Sequence, residues 1–189
     1  MKTKQFLYLF IILISSINCK AQQYPLNTDY DILPNNSYVK DLNNDYNSYV
    51  GTWKTILGSK EVYLYISKEQ NREVKLASKT YFSDVLLIKY KVVINGQIVE
   101  TTENDSLAKV KIVSDGLDLD NSVIFTTLGG KCMVGWGTIL LKSIDSTHLK
   151  WNYLPESIVL TNKNCPDYPA GGIKINLPDE PKDLIFTKQ

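Results

Sequence analysis

The chain has 189 residues, 43% of them hydrophobic, and its 21 basic and 20 acidic side chains leave a formal net charge of +1. That length suits one domain, and the apolar fraction is ordinary for a globular protein with a real core. Charge this evenly balanced supplies no basic field to hold nucleic acid or an anionic membrane surface.

The amino terminus reads as an export signal. Lys2 and Lys4 precede an unbroken apolar run, Phe6 to Ile14, and Cys19-Lys20-Ala21 follows a short polar dilution. A charged start, an apolar middle and a small residue at the cut define a signal peptide over residues 1–21. The apolar stretch, about 12 positions with Ile17, is well short of the ~20 needed to cross the hydrocarbon core. No later segment comes closer, so no membrane span is expected. Two processing routes compete. Cleavage after Ala21 leaves Gln22 as the first residue. Lipid attachment at Cys19 wants a small residue just before it, where Asn18 stands. The first route is preferred and gives an exported protein, periplasmic or secreted. It removes three lysines and no acids, for a net charge of −2.

Residues 22–48 read as an irregular arm. Pro25 and Pro34 break regular structure, and six asparagines favour turns. Yet Tyr24, Leu26, Tyr30, Ile32, Leu33, Tyr38 and Val39 make the arm too apolar for a disordered tail, so it is expected to lie against the domain.

From residue 49 to 189 a strand period dominates. Tyr49 to Leu57 is the first predicted strand. Val62, Leu64 and Ile66 alternate with Tyr63 and Tyr65 in the second. Residues 69–84 are polar and ambiguous, with room for one short helix over 69–80. Leu86, Ile88, Tyr90, Val92 and Ile94 share a face opposite Lys89 and Lys91. Asn95-Gly96 then signals a tight hairpin, because both central residues need positive φ, and Ile98 to Thr102 returns. Further strands are predicted over 108–112, 122–128, 133–142, 149–153 and 184–187, with a short one over 157–161. Residues 155–182 carry five prolines and read as a long loop. The pattern predicts an all-β fold: an antiparallel up-and-down meander that closes into a barrel of about eight to nine strands.

Cleavage leaves Cys132 and Cys165 as the two cysteines. Their pairing is expected in an oxidising compartment, and closing a loop of that length stabilises by roughly 3–4 kcal/mol on the chain-entropy view. With no CxxC pair and a single histidine, His148, no zinc site is expected.

Gly51-Thr52-Trp53, opening the first strand after an irregular arm, resembles the Gly-x-Trp start of lipocalins and related calycin barrels. That resemblance implies a lipocalin-like barrel in which Trp53, with Gly51, plugs one end. The long 155–182 loop and Cys165 depart from the lipocalin pattern. The whole chain after the signal also resembles a family of small secreted bacterial proteins of unknown function. The residues that carry this are Tyr49–Lys54, Asp84-Val85-Leu86 leading to Lys89-Tyr90-Lys91, Asn95-Gly96, and Pro181-Lys182-Asp183-Leu184. The resemblance implies export and fold, and no catalytic residues.

Few residue patterns suggest chemistry. His148 falls on the polar face of its strand, and no nucleophile elbow is present, so a histidine-based triad is not expected. Asp115, Asp118, Asp120 and Asn121 cluster, but without the fixed spacing and terminal Glu of an EF-hand; turn chemistry explains them better. Gly129-Gly130 and Gly135-Trp136-Gly137 lack the Lys-Ser/Thr step of a phosphate loop and read as bulges or corners.

Three functional readings follow, in order of preference. The first is a non-enzymatic binding protein holding a small apolar molecule in the barrel mouth, with Leu86, Ile88, Tyr90, Val110 and Ile112 as wall. The second is a surface module for protein or glycan, with a filled core, working through Tyr63, Tyr65 and the long loop. The third is a hydrolase with a carboxylate pair. No metal and no cofactor are implied. The expected partner is an unidentified small molecule or an extracellular protein, and the expected state is a monomer.

Overall fold

The computed structural model describes residues 22–76 and 78–189. Residues 1–21, with the expected signal peptide and Cys19, lie outside them. Eleven strands run in chain order: β1 (Gln23–Pro25), β2 (Tyr38–Lys40), β3 (Gly51–Leu57), β4 (Lys60–Leu76), β5 (Lys79–Ile94), β6 (Gln97–Thr101), β7 (Ile112–Leu117), β8 (Val123–Leu128), β9 (Trp136–Ser143), β10 (His148–Pro155) and β11 (Leu184–Lys188). Four 3-10 turns complete the inventory, and no α-helix occurs among the described residues. No helix there is long and apolar enough to cross a membrane.

Eight of these strands close a ring in the order β3-β4-β5-β7-β8-β9-β10-β11, and β11 returns to β3; every pairing in the ring is antiparallel. The predicted barrel is therefore present, with eight strands in its wall. Three short strands lie outside the ring. β1 and β2 run parallel against the start of β5, and β6 forms a hairpin with its end.

The strand period explains which side chains fill the barrel. Val62, Leu64 and Ile66 are buried inside while Tyr63 and Tyr65 point outward. On β5 the even positions Leu86, Ile88 and Val92 face in, and Val85 and Leu87 face out beneath Val110 and Val113. Trp53, Trp151, Phe125 and Phe186 are wholly buried, and Trp151 packs on Phe186 with ring centroids 5.6 Å apart. At the β5–β6 hairpin, Asn95 and Gly96 have φ of 50° and 77°, the pair of positive values this turn demands.

Three local expectations are corrected. Residues 69–76 and 79–80, read as room for a short helix over 69–80, are not helical: they belong to β4 and β5, which run on as a two-stranded ribbon past the start of β3. The strand read over 108–112 is a 3-10 turn, Leu107–Lys109, and β7 begins only at Ile112. Residues 157–161 are irregular, because the Asn164 side chain takes the Thr161 N–H and donates to the Val159 carbonyl, closing a loop in place of a ladder. Cys132 and Cys165 form the expected disulfide.

The arm is fastened by buried charge. Asp84, 1% exposed, accepts from the Tyr38 hydroxyl, from Asp41 N at 3.1 Å and from Asn71 N at 3.1 Å. Asn71 can reach it because a bulge between Glu69 and Arg72 frees its N–H from the β4–β5 ladder. Asp41 in turn accepts from Asp45 N at 2.7 Å and Tyr46 N at 3.1 Å, and pairs with Lys68 at 2.6 Å. Removing one partner of a buried pair strands the other charge away from water. Lys68→Met should therefore lower unfolding free energy by about 3–5 kcal/mol in urea titration. Lys75→Met, which breaks an exposed pair with Glu73, should change it by less than ~1 kcal/mol.

Candidate functional site

The two ends of the barrel differ. At one end Trp53 lies across the interior and donates from Nε1 to the Tyr49 carbonyl at 2.8 Å. The Lys188 ammonium stands 5.0 Å from the Trp53 ring centroid, covering it from β11. Gly51, with φ of 138°, makes room: a Cβ there would come within 3.0 Å of Lys188 Cε. Tyr49 adds a second tie, donating to the Asn121 carbonyl at 3.3 Å and accepting from Ser143 N at 3.2 Å. This end is shut by an aromatic ring, a cation and three hydrogen bonds.

The other end holds a cleft of about 170 Å³. Its wall combines Ile88 and Tyr90 of β5, Ile112 of β7 and Tyr153 of β10, and residues 174–177 of the long loop form its roof. The roof is held at several points. Asn176 donates to Glu100 at 2.6 Å and accepts from Lys60 at 3.4 Å. Trp151 Nε1 donates to the Pro178 carbonyl at 2.8 Å. Further back, the disulfide joins Cys165 of the same loop to the Lys131–Met133 turn.

Polar groups in the cleft are fixed by one another. The Tyr90 hydroxyl donates to the second Glu100 oxygen, so that carboxylate receives a donor on each oxygen. The Tyr153 hydroxyl donates to the Gly135 carbonyl. Burial, aided by the charges of Asp179 and Glu100, pushes the Tyr153 hydroxyl up to about 12. Burial and Glu100 raise Tyr90 as well. The rim is charged: Lys109, Lys111, Lys174 and Asp105 border the opening.

Of the residues expected to form the ligand wall, Ile88, Tyr90 and Ile112 meet at this cleft. Leu86 lies deeper, in the packed core, and Val110 sits on the outer side against Val85 and Leu87. Gly51 and Trp53 occupy the shut end. Tyr63 and Tyr65 are partly exposed on the outer face, threaded by lysines: Lys54 and Lys91 stand 4.9 and 4.8 Å from the Tyr63 centroid, and Lys91 lies 5.7 Å from that of Tyr65. The cluster of acids is dispersed. Asp115 takes the Thr126 hydroxyl, Asp118 the Leu119 N–H, and Asp120 pairs with Lys142. His148 pairs with Asp145 at 2.9 Å across the β9–β10 turn.

Glu100, Tyr153, Asn176 and Lys188 were not singled out by the sequence. Tyr153 reads as core, and Lys188 carries no local signal. Asn176 reaches the cleft only because a proline-rich loop returns over the barrel.

A family described as "Family of unknown function (DUF6705)" matches residues 1–189. No curated protein and no solved structure matches the chain.

The buried hydroxyls set an alkaline limit. Tyr38, pushed up to about 12 by burial and by Asp84, behaves as Tyr153 does. Free tyrosine ionises near ~10, so the unfolded chain loses these protons first. Stability is then intact below pH ~10 and falls as pH rises from there through the folded values. Phenolate absorbance should show a group of tyrosines titrating late, together with loss of fold. Tyr38→Phe and Tyr153→Phe should each remove one proton from that late step.

Proposed function

We propose, for a chain that belongs to this family of unknown function across residues 1–189, that it is an exported, non-enzymatic binding protein which takes a small, largely apolar molecule in the mouth of its barrel. The observation that carries this reading is the convergence of Ile88, Tyr90, Ile112 and Tyr153 on one cleft, at the end opposite the Trp53 closure.

Size narrows the ligand. The cleft measures about 170 Å³, and an apolar cavity of ~150 Å³ accommodates a benzene-sized guest. A single ring or a short chain suits it better than a lipid. The Glu100 carboxylate, held by Tyr90 and Asn176, supplies the polar group that orients such a guest. The disulfide supports an oxidising compartment, which agrees with export directed by residues 1–21.

The packing of the interior favours a second reading. Trp53, Trp151, Phe125 and Phe186 fill the barrel below the mouth, as a filled-core surface module would require. In that case Tyr63 and Tyr65, held among Lys54 and Lys91, are the contact residues.

Native mass spectrometry separates the two. Protein made in a bacterial host with its own first 21 residues should carry a small co-purifying mass that leaves on denaturation. Ile175→Trp, a half-exposed roof position, should fill the cleft and weaken that ligand at least tenfold while the fold is kept. A ligand-free mass, combined with no saturable binding of phenol, p-cresol or indole, would overturn the mouth site and favour the outer tyrosine face.

A further inference from the structure

β5 and β7 close the barrel through only two residue pairs, Leu87 with Val113 and Ile88 with Ile112. Below this join the two strands separate. β5 takes β2 as its neighbour at Phe82 and Ser83, and the edge of β7 from Ser114 to Leu117 is left without a strand on that side. The arm enters the fork. The Leu26 carbonyl accepts from Leu117 N at 3.3 Å and lies where a Cβ on Gly116 would come within 2.6 Å of it. A glycine at 116, with φ of 147°, lets the arm lie directly on β7.

The arm does not fill the fork. Between it, the end of the β4–β5 ribbon and β7 lies a concavity of about 700 Å³, a size typical of small-molecule pockets. Its walls are apolar: Leu26, Leu33 and Val39 come from the inner side of the arm, Tyr81 from β5, and Leu117 and Ile124 from β7 and β8. Three carboxylates, Asp29, Asp31 and Asp115, stand in it against one ammonium, Lys79.

That ammonium is occupied elsewhere. Lys79 Nζ donates to the carbonyls of Tyr30, Asp31 and Leu33 at 2.7, 3.0 and 3.1 Å, and so pins the arm's 3-10 turn. Asp29 accepts from Asp31 N at 2.9 Å. Asp115 receives only the Thr126 hydroxyl, at 2.6 Å, and among the described residues no cation pairs with any of the three carboxylates. Asp115 is open to solvent, yet partial desolvation raises its carboxyl above the ordinary value.

We propose that this fork groove is a second binding site, separate from the barrel mouth, for a small organic cation: a protonated amine at Asp115 with an apolar body against Tyr81, Leu33 and Ile124. A neutral or anionic guest of the same shape gains the apolar contact but leaves the carboxylates uncompensated, so charge sets the specificity.

The test uses the whole chain and three probes of one shape: 3-phenylpropylamine, 3-phenylpropanol and 3-phenylpropionate. Titration followed by amide NMR should give saturable binding of the amine, with shifts at Asp31, Asp115 and Leu117 and none at Tyr90 or Tyr153. The alcohol should bind at least tenfold more weakly and the propionate not measurably at those positions. Asp115→Asn keeps the shape and an acceptor for Thr126, and should weaken the amine at least tenfold; Asp31→Asn should weaken it less. Equal binding of amine and propionate, unchanged affinity in Asp115→Asn, shifts confined to the mouth, or no saturation would each overturn the site.

Discussion

An eight-stranded barrel exists only if its last edge finds a partner, and here that closure depends on the far edge of β5. This strand has sixteen residues; β4 pairs along the whole of one edge, while β2, β7 and β6 share the other in turn. The ring needs only the two pairs in the middle of it. On either side of that join β5 and β7 part, and each parting makes a concavity. On one side the β5–β6 hairpin and the 174–177 roof enclose the mouth cleft; on the other the arm lies in the fork. Both candidate sites thus come from one mismatch in strand length, and the seam between β5 and β7 is where this fold differs from a plain cylinder.

The ends of the barrel are treated unequally. Where Trp53 lies, a single indole with Lys188 above it shuts the opening, although β4 and β5 run on past it as a ribbon. At the other end a loop is brought across. Its anchoring explains the long proline-rich segment: the disulfide, Asn176 and Pro178 each tie it to a different wall. The buried Asp41–Lys68 pair and Asp84 do the same work for the arm. Polar groups here fix where irregular chain lies, while the apolar period sets the strands.

Period-2 alternation made most of the wall legible, because each wall strand has one face in the core and one in solvent. It failed where that condition fails. The ribbon over residues 69–76 and 79–83 has little core behind it, so its polar sequence carries no strand period and resembles a helix. Residues 108–112 alternate well, yet Val110 is buried on the outside of β5, and the apolar signal there comes from that outer cluster. Alternation put Ile88 and Tyr90 on one strand face with Leu86, but it did not tell which of them stand at the mouth with Ile112. Glu100, Asn176 and Lys188 could not be named, since their positions follow from closure and from the return of a loop. The fork groove was equally invisible: its walls come from the arm, β5, β7 and β8, brought together by register.

The pairing of β3 with β11 governs when the molecule can acquire its shape. Trp53 and Lys188 are partners in that register, so the first ring strand waits for the last. A growing chain that lacks β11 holds an open sheet with the edge of β3 bare and the Trp53 ring uncovered, a species prone to pair with other edges. Contacts this distant in sequence also make folding slow. Synthesis and folding of this domain are consequently separated in time, and the interval between them is when the chain is most exposed to aggregation or to capture by a chaperone.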